Sequence, residues 1–481
     1  MKIDNNISKF YLYLTAFIIG AVILTLEILG TRIIAPYYGT TIYVWSSLIA
    51  VTLTALALGY FAGGQLADRK LDTNLFYKII SLAALLIIII PIIQNLVLVN
   101  TNGLGSRFGS LVSTVLLFGA PLALLGMVAP YAIKLKTKRL GDMGSSAGNL
   151  YGVSTLGSVL GAIAAGFYLI PNMGINSIIY LSGGILILLS LGWFVYNNKK
   201  SFGGGILILF LLISSMNLLV AQPTLDDGIN IVYETESAYS KLQVVDMGSM
   251  RYLLVNGGTQ ASLDLRDGSF NYEYLGLFED AVELHPNPEE ILFIGLGGGG
   301  MDSILKDYGV EIDNVELDRK IVDIARDYFD FEGNVIVDEG RHYIRNTDKK
   351  YDIVFLDAFN GYSIYPYIFS LESFTEIKET LKNEDGIVAI NIVGYYNDDL
   401  FKSIHSTLDE VFENVYVSYT DDDFGNNVFY ATDSNLNLTK INVNNGIIIT
   451  DDYNPIESLA VKTIEKWRNV DVKIFDGLIL Q

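Results

Sequence analysis

The sequence predicts an α-helical multi-span membrane domain, then a small β domain, then an α/β domain built on a parallel sheet. Three observations lead to this fold class. Apolar segments of bilayer-spanning length recur through residues 1–222. Residues 223–265 contain short alternating segments separated by turn residues, which is typical of a small antiparallel sheet. Strands and helices then alternate through residues 266–481, which is the rhythm of a parallel sheet with helices on both faces.

Composition sets limits on the chemistry. The chain has 481 residues, of which 51% are hydrophobic, and its mean hydropathy of +0.37 is too high for a purely soluble protein of this size. It has no cysteine, so disulfides and thiolate metal sites are excluded. Its 3 histidines show no ligand spacing, and we predict no metal.

The net charge of −21 is unevenly distributed along the chain. Residues 1–222 carry 13 basic and 5 acidic side chains, whereas the remainder carries 19 basic and 48 acidic ones. An acidic soluble region argues against nucleic acid as a partner, because phosphate binding needs the opposite charge. The acidity fits a cationic substrate and fits a merely solvated surface equally well.

The membrane region is predicted to contain about seven spans, which makes the protein a multi-pass protein of the cell membrane with the lipid bilayer as a partner. The predicted spans lie near residues 10–34, 43–66, 76–99, 109–133, 148–170, 174–196 and 203–221. Basic residues precede the first span and follow the second, fourth and sixth, which places the N-terminus in the cytoplasm. Seven spans would then put the second half outside, in conflict with a cytoplasmic nucleoside. The sequence therefore does not determine on which side of the membrane the second half lies.

A glycine-rich turn marks the centre of the soluble half. The apolar run Ile291–Ile294 leads directly into Gly295–Gly300, and a helix is predicted to follow. Glycines allow a tight turn and a close approach of a ligand to the backbone. Glu316 lies about 20 residues past Gly295, at the tip of the next strand, where an acid can bind ribose hydroxyls. The pattern predicts a nucleoside site that includes Gly295, Gly297, Gly299 and Glu316.

Several motifs between Tyr233 and Gly394 resemble the spermidine synthase (polyamine aminopropyltransferase) family. These are Leu254–Gln260, Ile294–Gly300, Val315–Asp318, Val337–Arg341 and Tyr351–Asp357. The resemblance implies a small β domain followed by a Rossmann-like domain with the folding plan of class I methyltransferases. The apolar first half, with Glu27, Arg32 and Tyr43–Trp45, and the late segment Thr450–Glu457 resemble a subgroup of this family that is fused to a membrane domain.

The resemblance also implies roles for individual residues. It implies decarboxylated S-adenosylmethionine, or S-adenosylmethionine itself, as a co-substrate. Asp357 would be the catalytic carboxylate, as a general base or as a group that orients an amine. Asp338 and Glu339 would meet the adenine. Tyr239 and Gln260 would contact the substrate.

Three departures from the family pattern concern the acceptor. Asn360 stands where the family has an aspartate that holds the diamine ammonium, Gly298 replaces an aspartate in the glycine loop, and Ser240 replaces a glutamine. Two carboxylates near a cation attract it strongly at low dielectric, so their loss puts the usual diamine in doubt. We expect Glu273 to supply one acidic contact.

Three functions follow from these features. The first is a membrane-anchored transferase that moves an aminopropyl group to a small-molecule amine. The second is an S-adenosylmethionine-dependent methyltransferase that acts on a membrane-linked acceptor. The third is a transporter whose soluble half senses a nucleoside, although sensing needs no carboxylate at Asp357. The sequence leaves open the acceptor and whether the chain forms a homodimer.

Overall fold

The chain divides into two compact units, one ending at Thr224 and the other beginning at Leu225. A computed structural model describes residues 5–39, 41–137, 140–197, 228–421, 423–441, 443 and 445–475. The predicted seventh span, 203–221, and the start of the predicted β domain, 223–227, lie outside the described residues. Each unit has its own hydrophobic core and is described separately below.

The first unit contains 6 described helices that are long and apolar enough to cross a membrane. They are α1 (Lys9–Tyr38), α2 (Ile42–Arg69), α3 (Thr73–Asn102), α4 (Arg107–Lys136), α5 (Met143–Leu169) and α6 (Ile175–Tyr196). Short π-helical turns interrupt α4 at Val115–Gly119 and end α5 at Ala165–Leu169. These six correspond to the first six predicted spans.

Glycines allow the helices of this unit to pack closely. A Cβ at Gly157 of α5 would lie 2.0 Å from the carbonyl oxygen of Phe17 in α1, and a Cβ at Gly63 of α2 would lie 2.4 Å from that of Met127. Small residues at such crossings bring helix backbones together where lipid supplies no hydrophobic drive for association. Gly63 therefore serves the packing of α2 against α4.

The second unit begins with a four-stranded antiparallel sheet in the order β1-β2-β3-β4. Its strands are β1 (Ile229–Glu236), β2 (Lys241–Met247), β3 (Met250–Val255) and β4 (Gly258–Asp264). Asn256, with φ +49°, and Gly257, with φ +83°, form the tight turn between the last two strands. The sequence predicts the first three strands and places a turn where β4 begins.

A seven-stranded sheet follows, in the order β12-β13-β11-β8-β5-β6-β7. Its strands are β5 (Glu290–Ile294), β6 (Glu311–Glu316), β7 (Asn334–Val337), β8 (Ile353–Leu356), β11 (Ile387–Tyr395), β12 (Asn414–Tyr419) and β13 (Phe424–Thr432). All neighbours are parallel except β13, which runs antiparallel to β11 and β12. A short hairpin of β9 (Phe359–Asn360) and β10 (Ser363–Ile364) follows β8. This is the predicted Rossmann-like sheet with a class I methyltransferase plan.

Helices accompany the strands of the large sheet, and apolar clusters lie against both of its faces. They are α7 (Glu273–Leu284), α8 (Gly300–Leu305), α9 (Arg319–Tyr328), α10 (Gly340–Asn346), α11 (Leu371–Glu379), α12 (Asp399–Asp409), α13 (Ile456–Leu459) and α14 (Val461–Ile474). Strand order reverses at β5, since β6 lies on one side of it and β8 on the other. Ligands of such sheets bind at this switch point, beyond the carboxyl ends of the strands.

Candidate functional site

The carboxyl ends of three parallel strands are tied together at the switch point. The amide of Gly295 donates to the carbonyl of Val315 at 2.9 Å, and the amide of Asp357 donates to the carbonyl of Ile294 at 2.9 Å. A cleft opens beyond these ends, and we call it the glycine cleft. It is lined by Tyr239, Ser240, Val255, Gln260, Ile294, Gly295, Leu296, Gly297, Val315, Glu316, Leu317, Asp318, Ile321, Glu339, Gly340, Asp357, Ala358, Phe359, Tyr365 and Ile368.

Glu316 lies buried at the base of the glycine cleft. Its carboxylate accepts hydrogen bonds from the amide of Asp318 at 2.8 Å and from the amide of Leu296 at 3.2 Å. Burial raises the pKa of Glu316 to about 7, and these two amide hydrogen bonds oppose the rise. The carboxylate is thus fixed at a strand tip where it can accept hydrogen bonds from a bound diol.

Asp357 follows β8 and is held by two side chains. The hydroxyl of Tyr274 donates to one carboxylate oxygen at 2.8 Å, and the amide of Asn391 donates to the other at 2.9 Å. Asn391 in turn accepts from the amide of Asn426 at 2.9 Å. Burial raises the pKa of Asp357, while the hydrogen bonds from Asn391 and Tyr274 act in the opposite direction. The result is an oriented carboxylate with lone pairs left for a substrate proton.

A second cavity, of about 430 Å³, is also lined by Asp357. We call it the aromatic cavity, because seven aromatic rings line it. It is lined by Tyr252, Thr259, Gln260, Ser262, Asn271, Tyr272, Tyr274, Asp357, Phe359, Asn391, Val393, Phe424, Gly425, Asn426, Trp467, Val470, Asp471, Ile474 and Phe475. Asp357, Gln260 and Phe359 line both cavities, so a group in either one can meet the same carboxylate.

Asp471 of α14 is the second acid of the aromatic cavity. Its carboxylate accepts from the amide of Thr259 at 3.1 Å and from the hydroxyl of Thr259 at 3.1 Å. Burial raises the pKa of Asp471 to about 6, and the hydrogen bonds from Thr259 oppose that rise. A buried acid is therefore kept at the wall of a cavity that also contains Asp357.

Part of the chain matches a known protein family. Residues 277–439 match the model of the spermine/spermidine synthase domain. The chain carries a spermine/spermidine synthase domain in its C-terminal part. The matched segment runs from within α7 to beyond β13, so it includes the glycine turn, Glu316 and Asp357.

Curated relatives of the synthase domain are named aminopropyltransferases. The chain is 31% identical over 193 residues to a probable polyamine aminopropyl transferase of Bifidobacterium longum (strain NCC 2705), covering 38% of this chain and 43% of that protein. It is 29% identical over 216 residues to a polyamine aminopropyltransferase of Vibrio vulnificus (strain CMCP6), covering 42% of this chain and 71% of that one. The chain thus spans less than half the length of the first of these relatives.

Solved structures of spermidine synthases align with about half of the chain. A probable spermidine synthase from Corynebacterium glutamicum ATCC 13032 aligns with 19% identity and a TM-score of 0.39, covering 52% of this chain and 95% of that one. The spermidine synthase of Thermotoga maritima aligns with 19% identity and a TM-score of 0.37, covering 50% and 88%. The family assignment rests on the sequence matches.

The second unit brings most of the predicted site residues together. Gly295, Gly297, Glu316 and Glu339 line the glycine cleft with Tyr239, and Gln260 reaches both cavities. The Gln260 amide donates to the carbonyl of Gly361 at 3.2 Å, which fixes its position between the cavities. Both carboxylate oxygens of Glu339 accept from backbone amides at the start of α10. Glu339 is therefore a helix cap that also faces the cleft.

Three predicted residues do not reach the cleft. The carboxylate of Asp338 contacts the ring of His342 at 2.8 Å and lines neither cavity. Gly299, with φ +81°, packs against Phe331 instead of a ligand, since a Cβ there would lie 2.3 Å from its ring. Glu273 is exposed in the first turn of α7 and lines neither cavity, so the acidic contact expected from it is missing. The side chain of Asn360 lies outside what the structure describes.

Sequence reasoning missed the residues that position Asp357 and the second acid. Tyr274, Asn391 and Asp471 gave no motif of their own. Asn391 carries a usable signal, because it is a polar residue inside the buried apolar strand β11. Asp471 carries no such signal in the sequence, because its hydrogen bonds with Thr259 join residues that are far apart in the chain.

Substituting Gly295 tests how closely the glycine turn packs against the backbone that follows β8. Its φ is +103°, and a Cβ would lie 2.3 Å from the carbonyl oxygen of Asp357. We expect Gly295→Ala to lower the free energy of unfolding by about 1–3 kcal/mol and to weaken nucleoside binding, because backbone strain and a clash coincide. Gly276→Ala in α7 is the matched control, since nothing lies within 4 Å of its Cβ position. Equal melting temperatures and affinities for Gly295→Ala and the unmodified protein would contradict the clash.

Proposed function

We propose that the protein is a membrane-anchored transferase that moves the aminopropyl group of decarboxylated S-adenosylmethionine to an amine. The observation that carries the proposal is the position of Asp357, at the wall shared by the glycine cleft and the aromatic cavity. The glycine cleft suits the adenosyl part of the sulfonium, with Glu316 on the ribose and Glu339 toward the adenine. The aromatic cavity suits the amine.

The proposed reaction is a direct displacement at carbon. The lone pair of the amine nitrogen attacks the methylene carbon beside the sulfonium, forming a C–N bond as the C–S bond breaks. The bonding electrons go to sulfur, which becomes the neutral thioether of methylthioadenosine. The nitrogen loses one proton, for which Asp357 is the acceptor. Holding two reactants in line supplies ~7–11 kcal/mol of such a barrier, so the protein needs little further chemistry.

Two neighbours of Asp357 support its role as a base. The Tyr274 hydroxyl and the Asn391 amide each occupy one lone pair of its carboxylate, and this fixes the plane of the group. Burial also raises its pKa, which brings a carboxylate closer to the range of an effective base. Orientation and basicity therefore both favour proton transfer from the amine.

The charges around the glycine cleft favour the decarboxylated sulfonium over S-adenosylmethionine. Four acids line the cleft, namely Glu316, Asp318, Glu339 and Asp357, and the described lining residues include no lysine, arginine or histidine. The carboxylate of S-adenosylmethionine would meet like charges there without a cationic partner. Removing that carboxylate leaves a ligand with positive charge only, which suits this lining. The lining therefore supports aminopropyl transfer over methyl transfer.

Calorimetric titration of the full chain in detergent tests the choice of co-substrate. We expect decarboxylated S-adenosylmethionine to bind at least about tenfold more tightly than S-adenosylmethionine, because like charges across an interface cost several kcal/mol. Mass spectrometry after incubation with an amine should then detect methylthioadenosine. Tighter binding of the carboxylated form, with S-adenosylhomocysteine as product, would overturn the proposal in favour of a methyltransferase.

The first unit would hold the synthase domain at the cell membrane. Its 6 described helices have the length and composition for this role. Sedimentation of membranes from cells that make the full chain should bring the protein down, and detergent but not high salt should release it. Release by salt alone would argue for a peripheral attachment.

A further inference from the structure

Arg341 is a buried cation that the chemistry above does not use. It lies in the first turn of α10, one residue past Gly340, which lines the glycine cleft. Only 6% of its surface is exposed. Arg341 itself lines neither the glycine cleft nor the aromatic cavity. Any effect of this residue on a ligand must therefore pass through the groups that it holds.

The guanidinium of Arg341 holds three groups at once. Its Nη1 donates to the carbonyl of Tyr367 at 2.9 Å and to Asp451 at 2.6 Å, and its Nη2 donates to the other oxygen of Asp451 at 2.8 Å. Its Nε and Nη2 donate to the two carboxylate oxygens of Glu376 at 2.8 and 3.0 Å. All five N–H groups thus have an acceptor. Only the planar fork of an arginine can serve two carboxylates and a carbonyl in this way.

The carbonyl held by Arg341 belongs to a wall of the glycine cleft. We call residues 365–369 the cleft wall, because Tyr365 and Ile368 line the cleft on either side of Tyr367. A Cβ at Gly340 would lie 3.2 Å from the Cδ1 atom of Ile368, so the wall packs against the start of α10. This is beside Glu339, at the end of the cleft that the proposed function gives to the adenine.

A second segment, residues 450–454, holds the cleft wall together with Arg341. The side-chain amide of Asn454 donates to the carbonyl of Pro366 at 2.8 Å. The hydroxyl of Ser370, just past the wall, donates to Asp451 at 2.6 Å. The hydrogen bond from Arg341 holds the pKa of Asp451 below its ordinary value, which keeps this carboxylate ionised. The wall is therefore held from both segments through one buried ion pair.

This arrangement gives a role to two motifs that the sequence brought out separately. Arg341 ends the motif of residues 337–341, and Asp451 belongs to the late segment of residues 450–457. The ion pair joins them across 110 positions of the chain. Neither residue contacts the cleft, yet both fix a segment that does.

We propose that Arg341, paired with Asp451, is a positioning residue that holds the cleft wall where Tyr365 and Ile368 contact the adenosyl group of the co-substrate. This inference rests on the proposed function and concerns the nucleoside end of the same site. Without the ion pair the wall moves away from the ligand, while Glu316 and Asp357 stay in place. Binding should therefore weaken and the chemical step should remain, because the ground state and the transition state lose the same contact.

The first test is a titration with methylthioadenosine, which binds without reacting. The full chain in detergent would be compared with Arg341→Lys, since lysine keeps the charge but, as a point charge, cannot bridge the three acceptors. We expect the affinity of Arg341→Lys to be at least about tenfold lower, which is the effect of a small change in the wall of an apolar pocket. Equal affinities of the two proteins would overturn the inference.

Turnover distinguishes positioning from a part in the chemical step. The KM for decarboxylated S-adenosylmethionine should rise in Arg341→Lys by at least about tenfold, whereas kcat should change by less than about threefold. The KM for the amine should stay as it is, because the aromatic cavity does not include the cleft wall. A lower kcat with an unchanged KM would overturn the inference. If neither protein turns over but Arg341→Lys binds methylthioadenosine more weakly, the proposed function fails and the role of Arg341 stands.

Arg345→Lys is the matched control for these measurements. Arg345 lies in the same helix and donates to the same Glu376, at 3.0 and 2.8 Å, but has no described hydrogen bond to Asp451 or to the cleft wall. Its substitution should leave the affinity for methylthioadenosine unchanged. A loss equal to that of Arg341→Lys would show that any change on α10 weakens the ligand, and would overturn the inference.

Two further variants keep the test decisive if Arg341→Lys folds poorly. Asn454→Ala removes one hydrogen bond to the cleft wall and leaves the buried charges paired, so it should weaken methylthioadenosine by about threefold. Asp451→Asn should weaken it as much as Arg341→Lys, and the two losses should not add in the double variant, because both break one contact. Unchanged affinity in both Asn454→Ala and Asp451→Asn, or fully additive losses, would overturn the inference.

Discussion

Asp357→Asn is expected to reduce kcat by about a hundredfold to ten-thousandfold, which is the usual contribution of a positioned acid or base. Asparagine keeps the size of the side chain but cannot accept the proton of the attacking nitrogen. It can still accept the hydrogen bond from Tyr274 or from Asn391 at its remaining oxygen. Nucleoside affinity should change by less than about threefold, because the cleft keeps Glu316 and the glycine turn. Single-turnover kinetics with titration of the co-substrate measures both quantities.

Two controls make this result specific. Asp307→Asn changes an exposed acid outside both cavities and should leave kcat and affinity unaltered. Tyr274→Phe removes one hydrogen bond that orients Asp357 and should reduce kcat by a smaller factor, about tenfold. Normal turnover in Asp357→Asn would show that Asp357 neither accepts the proton nor orients the amine. A comparable loss in Asp307→Asn would point to a general effect of charge.

The glycine cleft could be predicted from the sequence because the chain order itself encodes it. A buried strand, a glycine turn and an acid one strand later all fall within residues 291–316. Parallel strands place their carboxyl ends at one edge of the sheet, so residues that follow each strand become neighbours. Glu316 and Asp357 could therefore be assigned to one site without a structure.

The aromatic cavity could not be predicted in this way. The hydrogen bond between Tyr274 and Asp357 joins residues 83 positions apart, and that between Thr259 and Asp471 joins residues 212 positions apart. No periodicity or local spacing reports such contacts, because they depend on how whole elements pack. The sequence accordingly assigned the acidic contact to Glu273, which is close to the site in the chain but exposed in the fold.

A residue at a strand end was also predicted to bind the ligand although a neighbouring residue holds its side chain. Asp338 follows β7 in the pattern expected of a ligand-binding acid. Its carboxylate instead contacts His342, one turn along α10. An aspartate beside a helix start has this alternative wherever a donor lies within the first turn. A position at a strand end therefore does not by itself place a side chain in the cleft.

Glu316→Gln is expected to weaken nucleoside binding by about ten- to a hundredfold at pH 8. An ionised Glu316 can accept hydrogen bonds from both ribose hydroxyls, and bonds to a charged acceptor contribute about 1.5–3 kcal/mol each. Its pKa is raised to about 7, so in the free protein the carboxylate ionises only near neutral pH. The affinity of the unmodified protein should therefore rise between pH 6 and 8, and that of Glu316→Gln should stay nearly flat. Isothermal titration at several pH values measures this.

The same substitution should have the opposite effect on stability. The ordinary pKa of the glutamate is 4.5, and the folded value of about 7 lies above it, so ionisation of Glu316 opposes folding. The stabilisation of the folded protein by protonated Glu316 is fully present below pH 4.5. It is lost as the pH rises through about 7. Glutamine cannot ionise, so the variant should match the unmodified protein near pH 5 and exceed it by roughly 2–3 kcal/mol at pH 8.

The opposite effects of Glu316→Gln on nucleoside affinity and on stability distinguish a ligand-binding carboxylate from a structural one. If the carboxylate of Glu316 served only to hold the amides of Leu296 and Asp318, its loss would lower stability at every pH. A carboxylate kept for a ligand instead carries a desolvation cost in the free protein that the ligand offsets. Thermal unfolding of the full chain at pH 5 and pH 8 distinguishes the two cases. A variant that is less stable at pH 8 and yet binds the nucleoside normally would remove Glu316 from the site.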